Sequence, residues 1–312
     1  MQPIWRNLLT ASAFVAISVF TVWQLGHQFG HISFADVGQS IQGQQPWQIG
    51  ASIFLTALSF LCLALYDVMG AHIVAPKRVP PLVALLAGGA ANAVSNTLGF
   101  HAFTGSFLRA RIFRRYGLSL AEVARLVSLS WLALGLGFLA MLTIAQVAQV
   151  AQAIGSAQPA IALAIAGFIA TGLALFVVWL RHGPRELRVF GFTQPLPSAT
   201  MAVVQMALGA VESAAAIGAL YVLLPPDLAP SFPLFAVGYI SAVALGLLAN
   251  VPGGLGVFEA SITALVLGAG RADLLAALLL YRMVYNILPF VVSASALGLL
   301  HLASPKIQLE GG

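Results

Sequence analysis

Residues 232–268 read FPLFAVGYISAVALGLLANVPGGLGVFEASITALVLG, an apolar run that is interrupted at its centre. The run is long enough for a membrane helix, which needs about 20 mostly apolar residues. Its centre, Asn250-Val-Pro-Gly-Gly-Leu-Gly256, holds one proline and three glycines, and these residues disfavour a continuous helix. Irregular backbone at membrane depth is tolerated only where protein buries it or water lines it. The sequence therefore predicts a broken or re-entrant hairpin over residues 232–268.

The whole chain has the composition of a polytopic helical membrane protein. Its 312 residues are 60% hydrophobic and only 7% charged, with a mean hydropathy of +0.96 and a net charge of +5. A soluble domain carries about 25% charged residues, and it could not cover its surface with so few. The composition excludes a soluble enzyme domain and a nucleic-acid-binding domain. The composition also excludes a disulfide scaffold, because Cys62 is the single cysteine.

Six further apolar runs predict full membrane spans within one transmembrane domain that covers residues 1–312. These runs lie near residues 8–26, 48–72, 122–148, 158–180, 200–224 and 272–302. The first run lacks an A-x-A-like cleavage site, so we expect a retained anchor and not a signal peptide. The predicted fold class is an all-α polytopic membrane protein with about six full spans plus two hairpins, or up to eight spans if the hairpins cross.

Basic residues determine the predicted orientation. Seven of the 14 Lys and Arg residues lie between residues 76 and 125, three lie between 181 and 188, and Lys306 follows the last span. By the positive-inside rule, these loops and both termini are cytoplasmic. Arg271, beside Asp273, is the exception.

Residues 82–108 form the second interrupted apolar run. If they crossed the membrane once, Arg109 to Arg115 would lie on the opposite side from Lys77 and Arg78. A re-entrant hairpin that enters and leaves on the cytoplasmic side avoids this conflict. Small and polar residues interrupt the run at Gly88, Gly89, Asn92, Asn96, Gly99 and Gly105. The alternative is a kinked helix whose glycines allow close packing. Two such segments in corresponding halves predict an inverted-repeat-like arrangement with a site near the midplane.

Four ionisable residues lie within apolar runs, where each costs roughly 2.5–3.5 kcal/mol on insertion scales and needs a compensating interaction. They are Asp67, Glu212, Glu259 and Arg282. Glu259 is predicted in the first turn of the helix after the break, where the helix dipole favours a carboxylate. Arg282 is predicted to pair with Glu259 or Glu212, or to bind a ligand. Asp67 is expected at a helix end within reach of the headgroups, and Glu212 either joins the site or makes a hydrogen bond between helices.

Arg109 and Arg111 close the first hairpin. They are predicted either to hold a headgroup phosphate or to rest at anionic lipids, because the planar guanidinium binds phosphate at two points. The chain has no H-E-x-x-H motif and no P-loop, and its six histidines are scattered. Ser106 and His101 lack the spacing of a nucleophile elbow. No metal, other cofactor or catalytic residue is therefore predicted.

The segment NVPGGLGVFE, from Asn250 to Glu259, resembles a signature of the lysylphosphatidylglycerol synthase transmembrane family. Three other segments fit the same family in the same order. They are Leu65-Tyr-Asp67, the segment from Asn96 through Arg109 to Gly117, and Leu280-Tyr-Arg-Met-Val-Tyr285 followed by Pro289. The resemblance implies a bacterial inner-membrane protein that flips or handles lipids, aminoacylated phosphatidylglycerol in the type case and lipids such as hopanoids in other members. In the type case a separate soluble domain performs the lysyl transfer. We expect no such domain here, and so a flippase-like transporter and not an enzyme.

The residues and the resemblance together predict a site for lipid headgroups. Its predicted members are Asp67, Asn96, Arg109, Arg111, Glu212, Asn250, Pro252, Gly253, Gly254, Glu259 and Arg282. The predicted partners are membrane lipids with anionic headgroups, and no nucleic-acid partner is expected. The sequence is compatible with a homo-oligomer and with a lipid-modifying enzyme as partner. Two other functions stay open: an ion-coupled transporter of small solutes, and a non-transporting scaffold for a lipid-modifying enzyme.

Overall fold

The computed structural model describes residues 34–98, 101–152, 159–183, 186–189, 192–249 and 256–303, which are mostly helical. The helices are α1 (Phe34–Gln42), α2 (Pro46–Val74), α3 (Pro81–Leu98), α4 (His101–Phe113), α5 (Leu120–Gln152), α6 (Pro159–His182), α7 (Ala199–Tyr221), α8 (Phe232–Ala249), α9 (Val257–Leu265), α10 (Ala272–Arg282) and α11 (Leu288–Ala303). A 3-10 turn (Arg114–Tyr116) follows α4, and a π-helix (Met283–Ile287) joins α10 to α11.

Five helices in the described residues are long and apolar enough to cross a membrane. They run over Pro46–Val74, Leu120–Gln152, Ala160–His182, Ala199–Tyr221 and Ala272–Ala296. Each overlaps one predicted span, and the prediction of an all-α membrane protein is confirmed. The predicted span near residues 8–26 lies outside the described residues. Among the five, α7 is the most buried and α6 the most exposed, so α7 lies at the centre of the bundle and α6 at its edge.

Two glycines allow α5 and α7 to cross at close range. A Cβ atom added to Gly137 on α5 would lie 2.5 Å from the Cα of Gly209 on α7. A Cβ added to Gly209 would lie 2.5 Å from the Tyr66 hydroxyl on α2. Because lipid tails are as apolar as the helices, membrane helices associate through such close contacts of small residues. The crossing brings α2, α5 and α7 together.

Helices α3 and α4 form a hairpin at the first interrupted run. Thr104 Oγ1 of α4 donates to Ser95 Oγ of α3 at 3.2 Å, and a Cβ on Gly105 would lie 2.5 Å from the same Ser95 oxygen. With 18 and 13 residues, both helices are shorter than the roughly 20 residues that a span requires. That the hairpin enters and leaves on one side of the membrane stays a prediction.

The glycines and asparagines of this run do not act as predicted. Helix α3 continues through Gly88, Gly89, Asn92 and Asn96, and α4 continues through Gly105; only Gly99, with residue 100, lies outside the described residues. Asn92 remains within the helix because its Nδ2 donates to the Gly88 carbonyl at 2.9 Å. The small residues instead serve close packing, as in the alternative interpretation.

Helices α8 and α9 form the hairpin of the second interrupted run, with Gly238 of α8 in contact with the Leu265 side chain of α9. The break itself, residues 250–255, lies outside the described residues. Gly256, which precedes α9, has a φ of 82°, a backbone conformation that glycine adopts without steric cost. The orientation of this hairpin in the membrane also stays a prediction.

The last predicted span is not one regular helix, because a π-helix interrupts it at Met283–Ile287. Pro289 accounts for the position of this turn. A proline inside a helix lacks the N–H group and its ring clashes with the carbonyl four residues earlier, here that of Tyr285. Such π-turns within α-helices are frequent at functional sites. This turn begins directly after Arg282, one of the four predicted intramembrane charges.

Two small elements were not expected from the sequence. Helix α1 lies between the first two predicted spans, and β1 (Glu186–Val189) pairs antiparallel with β2 (Phe192–Pro195) after α6. The structure also explains Arg271, the basic residue that did not fit the positive-inside rule. Its guanidinium binds Asp227 and Asp273, each at 2.7 Å, and the hydrogen bond from Arg271 lowers the pKa of the Asp227 carboxyl. The charge that conflicted with the positive-inside rule is thus neutralised by two carboxylates.

Candidate functional site

The first buried ion pair joins Asp67, about two turns before the end of α2, to Arg109 on α4. Arg109 Nε donates to Asp67 Oδ1 at 2.5 Å, and Nη2 donates to Oδ2 at 2.8 Å. The Asp67 side chain is 0% exposed and that of Arg109 is 7% exposed. The sequence-based expectation that Asp67 reaches the headgroups is therefore wrong, because its side chain is fully enclosed. Asp67 binds the arginine inside the protein.

Arg109 and Arg111 do not lie together. Arg109 is buried, whereas Arg111 is exposed on another face of α4. Residues two apart on a helix point in different directions, so two arginines with this spacing do not converge on one phosphate. The structure separates them into an internal ion pair and a surface charge.

The second ion pair joins Glu259 on α9 to Arg282 at the end of α10. Glu259 Oε1 lies 2.7 Å from Arg282 Nε and 2.6 Å from Nη2. The other carboxylate oxygen, Oε2, accepts a hydrogen bond of 2.6 Å from the backbone N–H of Gly256. The prediction that Glu259 lies in the first turn of the helix after the break is confirmed, and of the alternatives left open for Arg282 the structure shows pairing with Glu259. The Arg282 guanidinium also lies 5.4 Å from the centroid of the Phe258 ring, a cation–π contact.

The two ion pairs differ in access. The side chains of Arg282 and Glu259 are 17% and 11% exposed, whereas those of Arg109 and Asp67 are nearly sealed. A sealed pair can only hold helices together. The Arg282–Glu259 pair is the more exposed of the two, although Glu259 is itself largely buried.

Glu212, at the middle of α7, makes a different set of contacts. Ser59 Oγ of α2 donates to its Oε1 at 3.0 Å, and Ser213 Oγ donates to its Oε2 at 3.2 Å. Ser59 Oγ also lies 2.8 Å from the hydroxyl of Tyr285 in the π-helix. We refer to Glu212, Ser59, Ser213 and Tyr285 as the hydroxyl cluster. It joins α2, α7 and the π-helix, and Glu212 does not pair with Arg282.

Asn96 contributes its backbone carbonyl to a contact with the π-helix. The Asn286 side chain of the π-helix donates to the Asn96 carbonyl at 2.9 Å, and Thr97 Oγ1 donates to the Asn286 carbonyl at 2.9 Å. The end of α3 therefore binds the π-helix that follows Arg282. The first hairpin and the last span meet here.

Stacked aromatic rings lie between the second ion pair and the hydroxyl cluster. Tyr281 stacks on Tyr285 with ring centroids 5.1 Å apart, and on Phe258 with centroids 6.0 Å apart. The Tyr281 hydroxyl also lies 2.5 Å from that of Tyr239 on α8. Packed rings thus connect Phe258, beside Arg282, to Tyr285 of the hydroxyl cluster.

Sequence reasoning missed Ser59, Tyr285 and Asn286. Serine is common in membrane helices and Ser59 gave no signal, whereas Asn286 was visible as a polar residue within an apolar run. Four predicted site residues, Asn250, Pro252, Gly253 and Gly254, lie outside the described residues.

Comparison with known proteins gives a consistent result. Residues 10–293 match the model of the lysylphosphatidylglycerol synthase transmembrane region. The uncharacterised protein slr0712 of Synechocystis is 26% identical over 95% of this chain and 93% of its own length. The inner membrane protein YbhN of Escherichia coli is 25% identical over 99% of this chain and 97% of its own. The phosphatidylglycerol lysyltransferase of Staphylococcus haemolyticus is 24% identical over 94% of this chain but only 34% of its own length.

Proposed function

Because the chain belongs to the lysylphosphatidylglycerol synthase transmembrane-region family, we propose that it moves phospholipids between the leaflets of the bacterial inner membrane. The match covers the membrane region of that family, and the lysyltransferase it resembles is about three times longer than the matched part, since 34% of that enzyme is covered. We propose a flippase-like activity for this membrane region. Both termini and the basic loops are proposed to face the cytoplasm.

The observation that carries the proposal is the accessible ion pair of Arg282 and Glu259. The Arg282 guanidinium keeps its proton even within the membrane, so it needs an anionic partner throughout the transport cycle. A headgroup phosphate can replace Glu259 as that partner, since guanidinium groups bind phosphate and carboxylate with the same two-point geometry. Removing one partner of a buried pair is costly, whereas replacing it is not.

An aminoacylated headgroup suits this exchange well. It carries a phosphate and an ammonium group, so Arg282 can bind the phosphate while Glu259 binds the ammonium. No charge is then left unpaired. A simple anionic lipid would occupy Arg282 and leave Glu259 to its Gly256 N–H bond, at 2.6 Å. We therefore propose aminoacyl-phosphatidylglycerol as the favoured substrate class and phosphatidylglycerol as the weaker one.

The test is a flipping assay in liposomes that contain the purified protein and fluorescent phosphatidylglycerol or lysyl-phosphatidylglycerol. Arg282→Ala is expected to abolish flipping of both lipids. The charge reversal Arg282→Glu with Glu259→Arg keeps an internal ion pair and tests whether pairing alone is enough. If Arg282 binds phosphate, the reversed pair folds but flips poorly. Arg188→Ala, an exposed arginine of β1, is the matched control.

Two results would contradict the proposal. Full flipping in Arg282→Ala would remove Arg282 from the mechanism. No flipping by the wild-type protein, with either lipid, would favour the small-solute transporter or the scaffold for a lipid-modifying enzyme. Co-purification of such an enzyme with the inactive protein would then support the scaffold.

A further inference from the structure

Glu212 is a carboxylate buried in the bundle with hydroxyl groups as its hydrogen-bond donors. It is 3% exposed, and in the described part of the chain its oxygens contact Ser59 and Ser213 but no arginine or lysine. Arg282 is paired with Glu259, and Arg109 with Asp67. An ionised carboxylate without a cation is costly to bury, and such a group takes up a proton.

The titratable groups that face Glu212 do not supply a positive charge. They are Cys62 and Tyr66 on α2, Tyr239 on α8 and Tyr285 in the π-helix. Thiols and phenols are neutral near pH 7 and become negative when they ionise. Each would therefore favour the protonated form of Glu212 or leave it unchanged.

The hydroxyl cluster accommodates both protonation states without movement of its heavy atoms. When Glu212 is ionised, Ser59 donates to its Oε1 at 3.0 Å and accepts from the Tyr285 hydroxyl at 2.8 Å. When Oε1 carries a proton, the direction reverses: Glu212 donates to Ser59, and Ser59 donates to Tyr285. Hydroxyl groups both donate and accept, so the same distances serve both states.

We propose that Glu212 is a proton-binding site of this protein, with H⁺ as its ligand, and that its protonation changes during lipid transport. The proton forms an O–H bond with Oε1 on uptake from water and returns to water on release. No electron transfer is involved. Tyr285 connects the site to the ion pair, because it hydrogen-bonds to Ser59 and stacks on Tyr281, which in turn stacks on Phe258 beneath Arg282. The coupling to transport rests on the proposed function; proton binding does not.

The first experiment is infrared difference spectroscopy of the purified wild-type protein, titrated from mildly acidic to mildly alkaline pH. We expect the carbonyl band of a protonated carboxylic acid that disappears as pH rises. The band is lost in Glu212→Gln and retained in Glu186→Gln, which removes the same charge from the exposed strand β1. Absence of a Glu212 band at every pH overturns the proposal, as does a band that responds to Na⁺ and not to pH.

Ser59→Ala keeps the carboxyl group and provides a second test if Glu212→Gln does not fold. It removes a hydrogen bond from both forms of Glu212, and the loss is larger for the ionised form because a bond to a charged acceptor is the stronger one, so we expect a larger protonated fraction at each pH. An unchanged titration in Ser59→Ala contradicts the role given to the hydroxyl cluster.

The second experiment addresses coupling. Flipping of fluorescent phosphatidylglycerol is measured in liposomes of phosphatidylethanolamine and phosphatidylglycerol with and without an imposed pH gradient. We expect the wild-type rate to depend on the gradient and the Glu212→Gln rate to lose that dependence, with Glu186→Gln behaving as wild type. A wild-type rate that ignores the gradient overturns the coupling. Absence of any flipping contradicts the proposed function instead, and the infrared titration still decides whether Glu212 binds the proton.

Discussion

Arg109 donates two parallel hydrogen bonds to Asp67, from Nε to Oδ1 at 2.5 Å and from Nη2 to Oδ2 at 2.8 Å. The residues are 42 positions apart, on α4 and α2. A third helix, α3, completes the enclosure, since a Cβ on Gly88 would lie 2.6 Å from Asp67 Oδ2. The ion pair thus fixes the first hairpin to the bundle.

Asp67→Asn is expected to destabilise the protein by about 3–5 kcal/mol, because it leaves the Arg109 guanidinium buried without a counter-charge. Thermal unfolding in detergent, followed by tryptophan fluorescence, measures the effect. Arg111→Ala is the control, and as a surface change it should stay within about 0.5 kcal/mol of wild type. Equal stability of Asp67→Asn and wild type would show that the pair does not hold the hairpin.

Gly88→Ala is expected to destabilise the protein by about 1–3 kcal/mol, because the new methyl group overlaps the Asp67 carboxylate. Gly89→Ala is a matched control on the same helix. Its Cβ would lie 3.8 Å from the Ala64 Cβ, which is ordinary contact, and alanine favours helix. Gly89→Ala should therefore be neutral or stabilising in the same unfolding measurement. Similar losses for both variants would contradict the placement of Gly88.

Gly209→Ala is expected to separate α5 from α7, since its methyl group would overlap Gly137 and the Tyr66 hydroxyl. The expected cost is about 1–3 kcal/mol. Gly135→Ala, where no atom lies within 4 Å of the added Cβ, is the control on α5. A disulfide or chemical cross-link between cysteines introduced near the crossing would report the separation independently. Cross-linking at the wild-type rate in Gly209→Ala would count against this packing.

Asn286→Ala is expected to loosen the end of α3, because the Asn96 carbonyl loses its side-chain donor. Loss of one such hydrogen bond costs about 0.5–1.5 kcal/mol. Hydrogen–deuterium exchange should become faster near residues 93–98 and stay unchanged in α2. Asn92→Ala removes only a bond within α3 and is the control. Unchanged exchange near residues 93–98 in Asn286→Ala would argue that other contacts hold this junction.

The sequence was sufficient to locate the intramembrane charges. The cost of an ionised group among apolar residues identified Asp67, Glu212, Glu259 and Arg282 without any structure. The proline and glycines before Glu259 also placed it at a helix start, where the structure has it. These inferences succeed because they depend on local sequence and on the membrane as solvent.

Which residues pair with these charges was harder to predict from the sequence. The pairing of Asp67 with Arg109 depends on how α2, α3 and α4 pack, which helix periodicity does not determine. Gly88 was interpreted as a helix break because glycine weakens isolated helices, yet in a membrane it also permits close contact. Within the hydroxyl cluster the sequence identified Glu212 but not Ser59, because Ser59 contacts Glu212 and Tyr285 only once the helices have packed.

The π-helix at Met283–Ile287 also determines how the end of the chain is rotated. A π-turn holds one more residue than an α-turn, and each residue advances a helix by about 100°. Shortening this turn by one residue would rotate α11 by that angle relative to α10. The one extra residue in the π-turn beside Arg282 thus determines how the last helix is rotated about its own axis.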